Sequence, residues 1–211
     1  MTRAFEVLHL PFIFESREQA HRALDSEKVK ARINDELAEV GFRWLLTFEY
    51  GFRNIDTTEI SAIEAFGASS VTIDWPEVYN ALRFGVVDGE AQPFATMVSA
   101  RHHELIRHHL DINFQYFAFV GMISLDEWNG YPDWAKEVIA ESAREAELYH
   151  RKIWEEEDAK ARAALIEQGA EIVVPDEDQL AKWVEAGRTT WASSGVPEEM
   201  IELVQSEATD Q

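Results

Sequence analysis

Apolar residues recur at helical spacing from Ser16 to Val40. Ala20, Ala23, Leu24, Val29, Ile33, Leu37 and Val40 fall on one stripe, and Ser16 with Glu18 suits a helix start. The spacing predicts helix across this stretch. The period then changes. "GFRWLLTFEYGFRN" holds an apolar and aromatic run from Phe42 to Phe48 between Gly41 and Gly51, which predicts a buried strand of a parallel or mixed sheet, with Arg53 and Asn54 at its C-terminal end. A helical stretch around Thr58 to Phe66 stops at Gly67, "SSVTIDW" predicts a second strand, and Pro76 fits the first turn of a helix over Glu77 to Phe84. "FGVVDG" reads as a short strand or turn, "FATMVSARHHELIRHHL" as another helix, and "INFQYFAFVGMIS" as a further buried strand.

The longest predicted element runs from Asp133 to Gln168 without an internal Gly or Pro and stops at Gly169. Glu147 with Arg151, Glu156 with Lys160, and Asp158 with Arg162 are acid-before-base pairs four apart, the spacing that supports an exposed helix. "AEIVVPD" predicts a strand after it, and Glu177 to Gln211 terminal helices with a turn near Gly195.

Charge narrows the partners. Forty Asp and Glu against 19 Lys and Arg leave a net charge of -21 on 211 residues, so no cationic face for nucleic acid is visible. Such acidity reads first as a solvated surface. The absence of cysteine excludes disulfides, thiol catalysis and thiolate metal sites. The N-terminal apolar patch is interrupted by His9 and Pro11, too short and too broken for a signal peptide or a membrane span.

The candidate chemistry favours binding over catalysis. His102, His103, His108 and His109 lack the i,i+3 or i,i+4 ligand spacing of a helical metal site, so no metal and no cofactor are expected. No nucleophile elbow or phosphate loop occurs, and Asp88 with Glu90, an acid and base in principle, reads as a solvated turn pair. Arg53 follows a buried-type strand, where a guanidinium at a cleft mouth would hold a carboxylate by a bidentate pair. The competing reading is a surface salt bridge.

Four blocks carry a resemblance: "LPFIFESREQAHRALD", "EYGFRN", "WPEVYNALRFGVVDGEAQPF" and "YPDWAKEVIAESAREAELYHRKIWEEE". In this order they resemble the extracytoplasmic, DctP-like solute receptors of tripartite ATP-independent periplasmic (TRAP) transporters. The resemblance implies an α/β, type II periplasmic-binding-protein fold of two lobes with a long bridging helix and an incomplete first lobe. Residues 1–50 and 113–146 would form lobe I, residues 51–112 and 147–211 lobe II, and helix 133–168 would span both. It implies a periplasmic receptor, not an enzyme, that hands a small organic acid or zwitterionic solute to a membrane permease. By position, Arg53 resembles the ligand-facing arginine of the family, Trp75 the aromatic residue before the E-V-Y triplet, and Gln92 the Asn of the Q-E-N-P segment. Phe114 and Tyr116 fall in the strand that lines the ligand near the hinge. Two departures are expected to alter ligand preference: the β-α units before the "LPF" block are missing, as is the "P-E-D-L-K-G-L-K-I-R-V"-like segment whose arginine makes the main salt bridge. The alternative is a structural module that self-associates or takes a partner through an exposed sheet edge. A metal-dependent hydrolase built on the histidines is a distant third.

Overall fold

A computed structural model describes residues 5–54, 66–69 and 71–209. After a short 3-10 turn at Glu6–His9, the predicted first helix divides into α1 (Arg17–Asp25) and α2 (Glu27–Glu39). Ser26 makes the break. Its extended backbone closes α1, and its hydroxyl accepts from the Lys28 and Val29 amides to open α2. Serine competes with a helical backbone in this way. Both helices still bury one stripe, Ala20, Ala23 and Leu24 followed by Val29, Ile33 and Leu37.

Strand β1 (Phe42–Arg53) then pairs antiparallel with β3 (Gln115–Ser124), not with a parallel neighbour. Its predicted end at Gly51 is passed, because the strand carries a register shift there. Tyr50 is the extra residue between Glu49, opposite Ala118, and Gly51, opposite Phe117. Gly51 sits at φ +89°, a conformation that glycine adopts without strain. Such a bulge reverses the alternation of side chains beyond it.

Val71 to Asp74 carries no regular structure, so the described part of the predicted "SSVTIDW" strand does not form, and the helix expected from Thr58 lies largely outside the described residues. Helix α3 (Trp75–Arg83) begins with Pro76 in its first turn. The histidine-rich stretch is not one helix. It folds as α4 (Phe94–Ser99), a 3-10 turn at His102–Glu104 and strand β2 (His108–Leu110), with Arg101 at φ +63° between the first two. Strand β2 pairs in parallel with β4 (Glu171–Val173). Between β3 and β4 stand α5 (Leu125–Gly130) and the long α6 (Asp133–Glu167), and α7 (Glu177–Arg188) and α8 (Glu198–Ala208) complete the chain.

At 35 residues and 1.5 Å rise, α6 is about 50 Å long. Of the i,i+4 pairs expected on it, Glu156–Lys160 gives way to Glu157–Lys160 one turn along the same helix at 2.7 Å, and the residues of the other two make contacts across the fold. Glu147 accepts the Thr47 amide of β1 at 2.6 Å, Arg144 and Arg151 both hold Asp25 of α1, Asp158 takes Arg17, and Arg162 reaches Asp111. The core separates into one large cluster, with α1, α2, α8, β1 and β3 around Leu24, Ile33 and Tyr116, and two smaller ones around Phe114 and Leu165.

Candidate ligand cavity

Where β1 and β3 end against the loop before α3, a cavity of about 310 Å³ opens, within the ordinary range of small-molecule sites. Arg53, Trp75 and Gln92 all line it. The bulge at Tyr50 explains part of this. Tyr50 and Arg53 are three apart, which would place them on opposite faces of a regular strand, yet both reach the same cavity.

Arg53 is 6% exposed, and its guanidinium lies 4.2 Å over the centroid of the Phe117 ring. His9 also stacks on that ring, at 4.5 Å between centroids. One Arg53 nitrogen is 3.5 Å from the Gln115 side-chain oxygen, and Gln115 donates in turn to the His9 carbonyl at 2.6 Å. The arginine is therefore held over a ring at the cavity wall. His9 is pushed down to about 4, by burial first and by the Arg53 charge second, against a hydrogen bond to the Ala118 backbone. It stays neutral beside the arginine.

On the other side of the cavity, Gln92 accepts from the Tyr50 hydroxyl at 3.1 Å. Glu90 lines the same space and bonds His102 Nδ1 at 2.6 Å, with both side chains almost fully enclosed. Burial, then the neighbouring His103, lowers the proton affinity of His102. The neutral ring donates its Nδ1–H to the Glu90 carboxylate. Trp75 tilts onto His102 at 5.1 Å and remains 46% exposed, so it stands at the rim.

Phe114 and Tyr116 do not join them. Phe114 is fully buried in one of the smaller clusters, and Tyr116 is buried against Phe14 and Phe52 in the main core. For Tyr116 the cause is the two-residue period of β3: Gln115, Phe117 and Phe119 share the face toward Arg53, while Tyr116 and Ala118 face the core. Strand position was legible, but the parity was not. Gln115 as the partner of Arg53 would have revealed it. Tyr50, Glu90, Phe117 and Phe119 are among the lining residues added by the structure.

A larger cavity of about 830 Å³ adjoins the first and shares Val87, Gly89, Glu90 and Gln92 with it, while His108 and His109 face its far side. His102 and His103 lie on the 3-10 turn and His108 and His109 on β2, so the four do not share a helix face. Among the described residues, no group of three or more His, Asp or Glu side chains is placed to hold a metal ion.

The model of the bacterial extracellular solute-binding proteins, family 7 (DctP), matches residues 1–63 and 56–196. The C4-dicarboxylate-binding periplasmic protein DctP of Rhodobacter capsulatus is 26% identical over 86% of this chain and 65% of its own length. The 2,3-diketo-L-gulonate-binding periplasmic protein YiaO of Escherichia coli is 23% identical over 82% of this chain and 59% of its own. The chain thus spans about three fifths of the length of these curated relatives. Among solved structures, a TRAP periplasmic solute binding protein from Ochrobactrum anthropi superposes with a TM-score of 0.89 at 26% identity, over 98% of this chain and 72% of that one. In that structure the C-terminus occupies the ligand-binding pocket. A TRAP solute binding protein from Sulfurospirillum deleyianum with bound succinate has a TM-score of 0.82 at 23% identity, which shows the fold alone. The periplasmic-binding-protein-like α/β fold expected from the sequence is that of these structures.

Proposed function

This chain belongs to the DctP family of bacterial extracellular solute-binding proteins, and from that premise we propose that it is a periplasmic receptor that captures a small organic acid and delivers it to a TRAP-type membrane permease. One observation carries the reading. Arg53, Trp75 and Gln92, which lie in separate segments of the sequence, converge on one cavity. An enclosed guanidinium held against a ring is pre-organised for a carboxylate, so little ordering remains to be done on binding. Relatives support the ligand class: solved members of the family hold succinate, L-gulonate and β-D-galacturonate. Binding, not catalysis, accords with relatives named as binding proteins.

The test is isothermal calorimetry of the 211-residue chain with organic acids of three to seven carbons, repeated on Arg53→Ala. A 1:1 ligand whose affinity falls at least thirtyfold in the variant is expected, which is about 2 kcal/mol at a charged pair. Unchanged affinity would remove Arg53 from the site.

A second reading has its own observation. The β1–β3 sheet has two strands among the described residues, and Phe42, Phe119 and Met122 along it are about half exposed. We propose self-association through this sheet as the alternative role. It requires a species larger than a monomer at micromolar concentration, and a monomer by light scattering would dismiss it.

A further inference from the structure

The described lining of the smaller cavity carries one charge of each sign. Among the described residues that line the smaller cavity, Arg53 is the one cation and Glu90 the one anion. A dicarboxylate that seats one end on Arg53 meets Glu90 or aromatic rings with the other, and no second cation of the described lining receives it. The Glu90 carboxylate is also enclosed and held at 2.6 Å by His102, so its charge is fixed in place inside a poorly solvated wall. A wall of this kind favours a solute that carries both signs.

The aromatic lining says what sort of cation. Tyr50, Phe117 and Phe119 form a mutual edge-to-face cluster with centroids 5.2 to 5.8 Å apart. Phe117 is already engaged by Arg53 and His9. Trp75 and Phe119 are 46% and 54% exposed and stand on the same cavity as Glu90. Exposed ring faces beside a carboxylate suit an ammonium group with an apolar shell, because the ring quadrupole attracts the charge while the methyl groups bury against the ring.

We propose that the site selects a small betaine-like zwitterion, whose carboxylate pairs with Arg53 and whose alkylated ammonium lies against Glu90, Trp75 and Phe119. This rests on the receptor reading above and narrows it from organic acids in general to those with a cationic end. Glu90 is then a specificity residue of the binding site, with His102 positioning it.

The experiment compares ligands that differ only in that charge. Glycine betaine and 4-trimethylammoniobutanoate are titrated by calorimetry against their carbon isosteres, 3,3-dimethylbutanoate and 5,5-dimethylhexanoate, with succinate as the dianion. At least one zwitterion should bind ten times or more tighter than its isostere and than succinate. In Glu90→Gln that advantage should fall below threefold. Phe119→Ala, which touches neither partner of the Glu90–His102 contact, should weaken the zwitterion at least fivefold and guards against a Glu90 variant that folds poorly. Isosteres or succinate that bind as well as the zwitterions would overturn the inference and leave the receptor reading standing. A chain that is folded by thermal melting and takes none of these acids or those of the previous panel would end both.

Discussion

Asp25 offers a direct test of what holds the long helix in place. It is the last residue of α1, where an acidic side chain opposes the helix dipole, yet its carboxylate receives both Arg144, at 2.6 and 2.8 Å, and Arg151, at 2.9 Å twice. Burial pushes the Asp25 carboxyl up, but hydrogen bonds and charge from the two arginines outweigh it and hold it well below the usual carboxylate range. Asp25→Asn keeps the shape and removes the charge. Arg144 retains Glu147 at 3.2 Å, but Arg151 is left as a nearly buried cation without its carboxylate. Losing one partner of a buried pair costs about 3–5 kcal/mol, and the one-third exposure of the Asp25 side chain lowers that to about 2–3 kcal/mol. The expected loss in melting temperature is about 4–12 °C. The sign is informative, because removing a negative charge from a chain of net charge -21 relieves repulsion and would by itself stabilise. Since the folded carboxyl titrates below its unfolded value, the contribution is complete above pH ~4 and is lost as pH falls through the folded value. Urea unfolding at pH 7 and pH 3 measures both. A variant as stable as the parent at pH 7, or one in which adding Arg151→Met recovers nothing, would refute this account.

Two further perturbations probe the cavity wall. A Cβ at Gly51 would stand 2.7 Å from Trp154 Nε1 at a positive φ, and Trp154 stacks on Tyr50, so Gly51→Ala should cost about 2–3 kcal/mol in thermal melts and also weaken ligand binding. Gly41→Ala, at φ +80° with open space around it, should cost about 1 kcal/mol and leave binding alone. His9, held at about 4, is accommodated only as the neutral ring. Its contribution is therefore present above pH ~6.5 and lost as pH falls toward 4, at up to ~1.4 kcal/mol per pH unit. His9→Phe keeps a ring against Phe117 and should flatten stability between pH 6.5 and 4, and an unchanged slope would show that other groups carry it.

Element identity was largely legible, and the failures share a cause. Helices α2 and α8 follow from apolar periodicity because each buries one apolar stripe, whereas α6 is marked by a run free of Gly and Pro and buries Glu147 and Arg151 beside Ala143, Ala161 and Leu165. The segment from Phe94 to Leu110 does not follow in this way, since its apolar residues serve three successive environments, and the left-handed Arg101 that separates two of them has no glycine to announce it. The same holds for the site. Arg53, Trp75 and Gln92 are marked by their chemistry or by a sequence block, and all three line the cavity. Phe114 and Tyr116 are buried away from its lining, and a stretch that is apolar at consecutive positions gives no sign of which parity faces the cavity. Glu90 was visible as a carboxylate in a turn, and only the fold brings His102 to it.

The strained positions show where the cavity's two walls are joined. Phe12 at φ +54° and Asn113 at φ +49° lack glycine's freedom, and such conformations cost about 1–3 kcal/mol unless their surroundings over-determine them. Here they do. The Phe12 amide donates to the Phe114 carbonyl at 2.6 Å, the Asn113 amide to the Asn54 side chain at 3.2 Å, and the Phe114 amide to the Arg53 carbonyl at 3.1 Å. Phe12 also rests so closely on α7 that a Cβ at Gly187 would meet its ring at 2.7 Å. These bonds converge on the end of β1 and the start of β3, and so fix the backbone of the residue whose guanidinium faces the cavity. Asn54, next to Arg53, and His109 of β2 both line the larger cavity. The position of Arg53 is thus set by a short run of over-determined backbone, whereas Glu90 stands on the same loop as Gln92 and is held there by its 2.6 Å contact with His102.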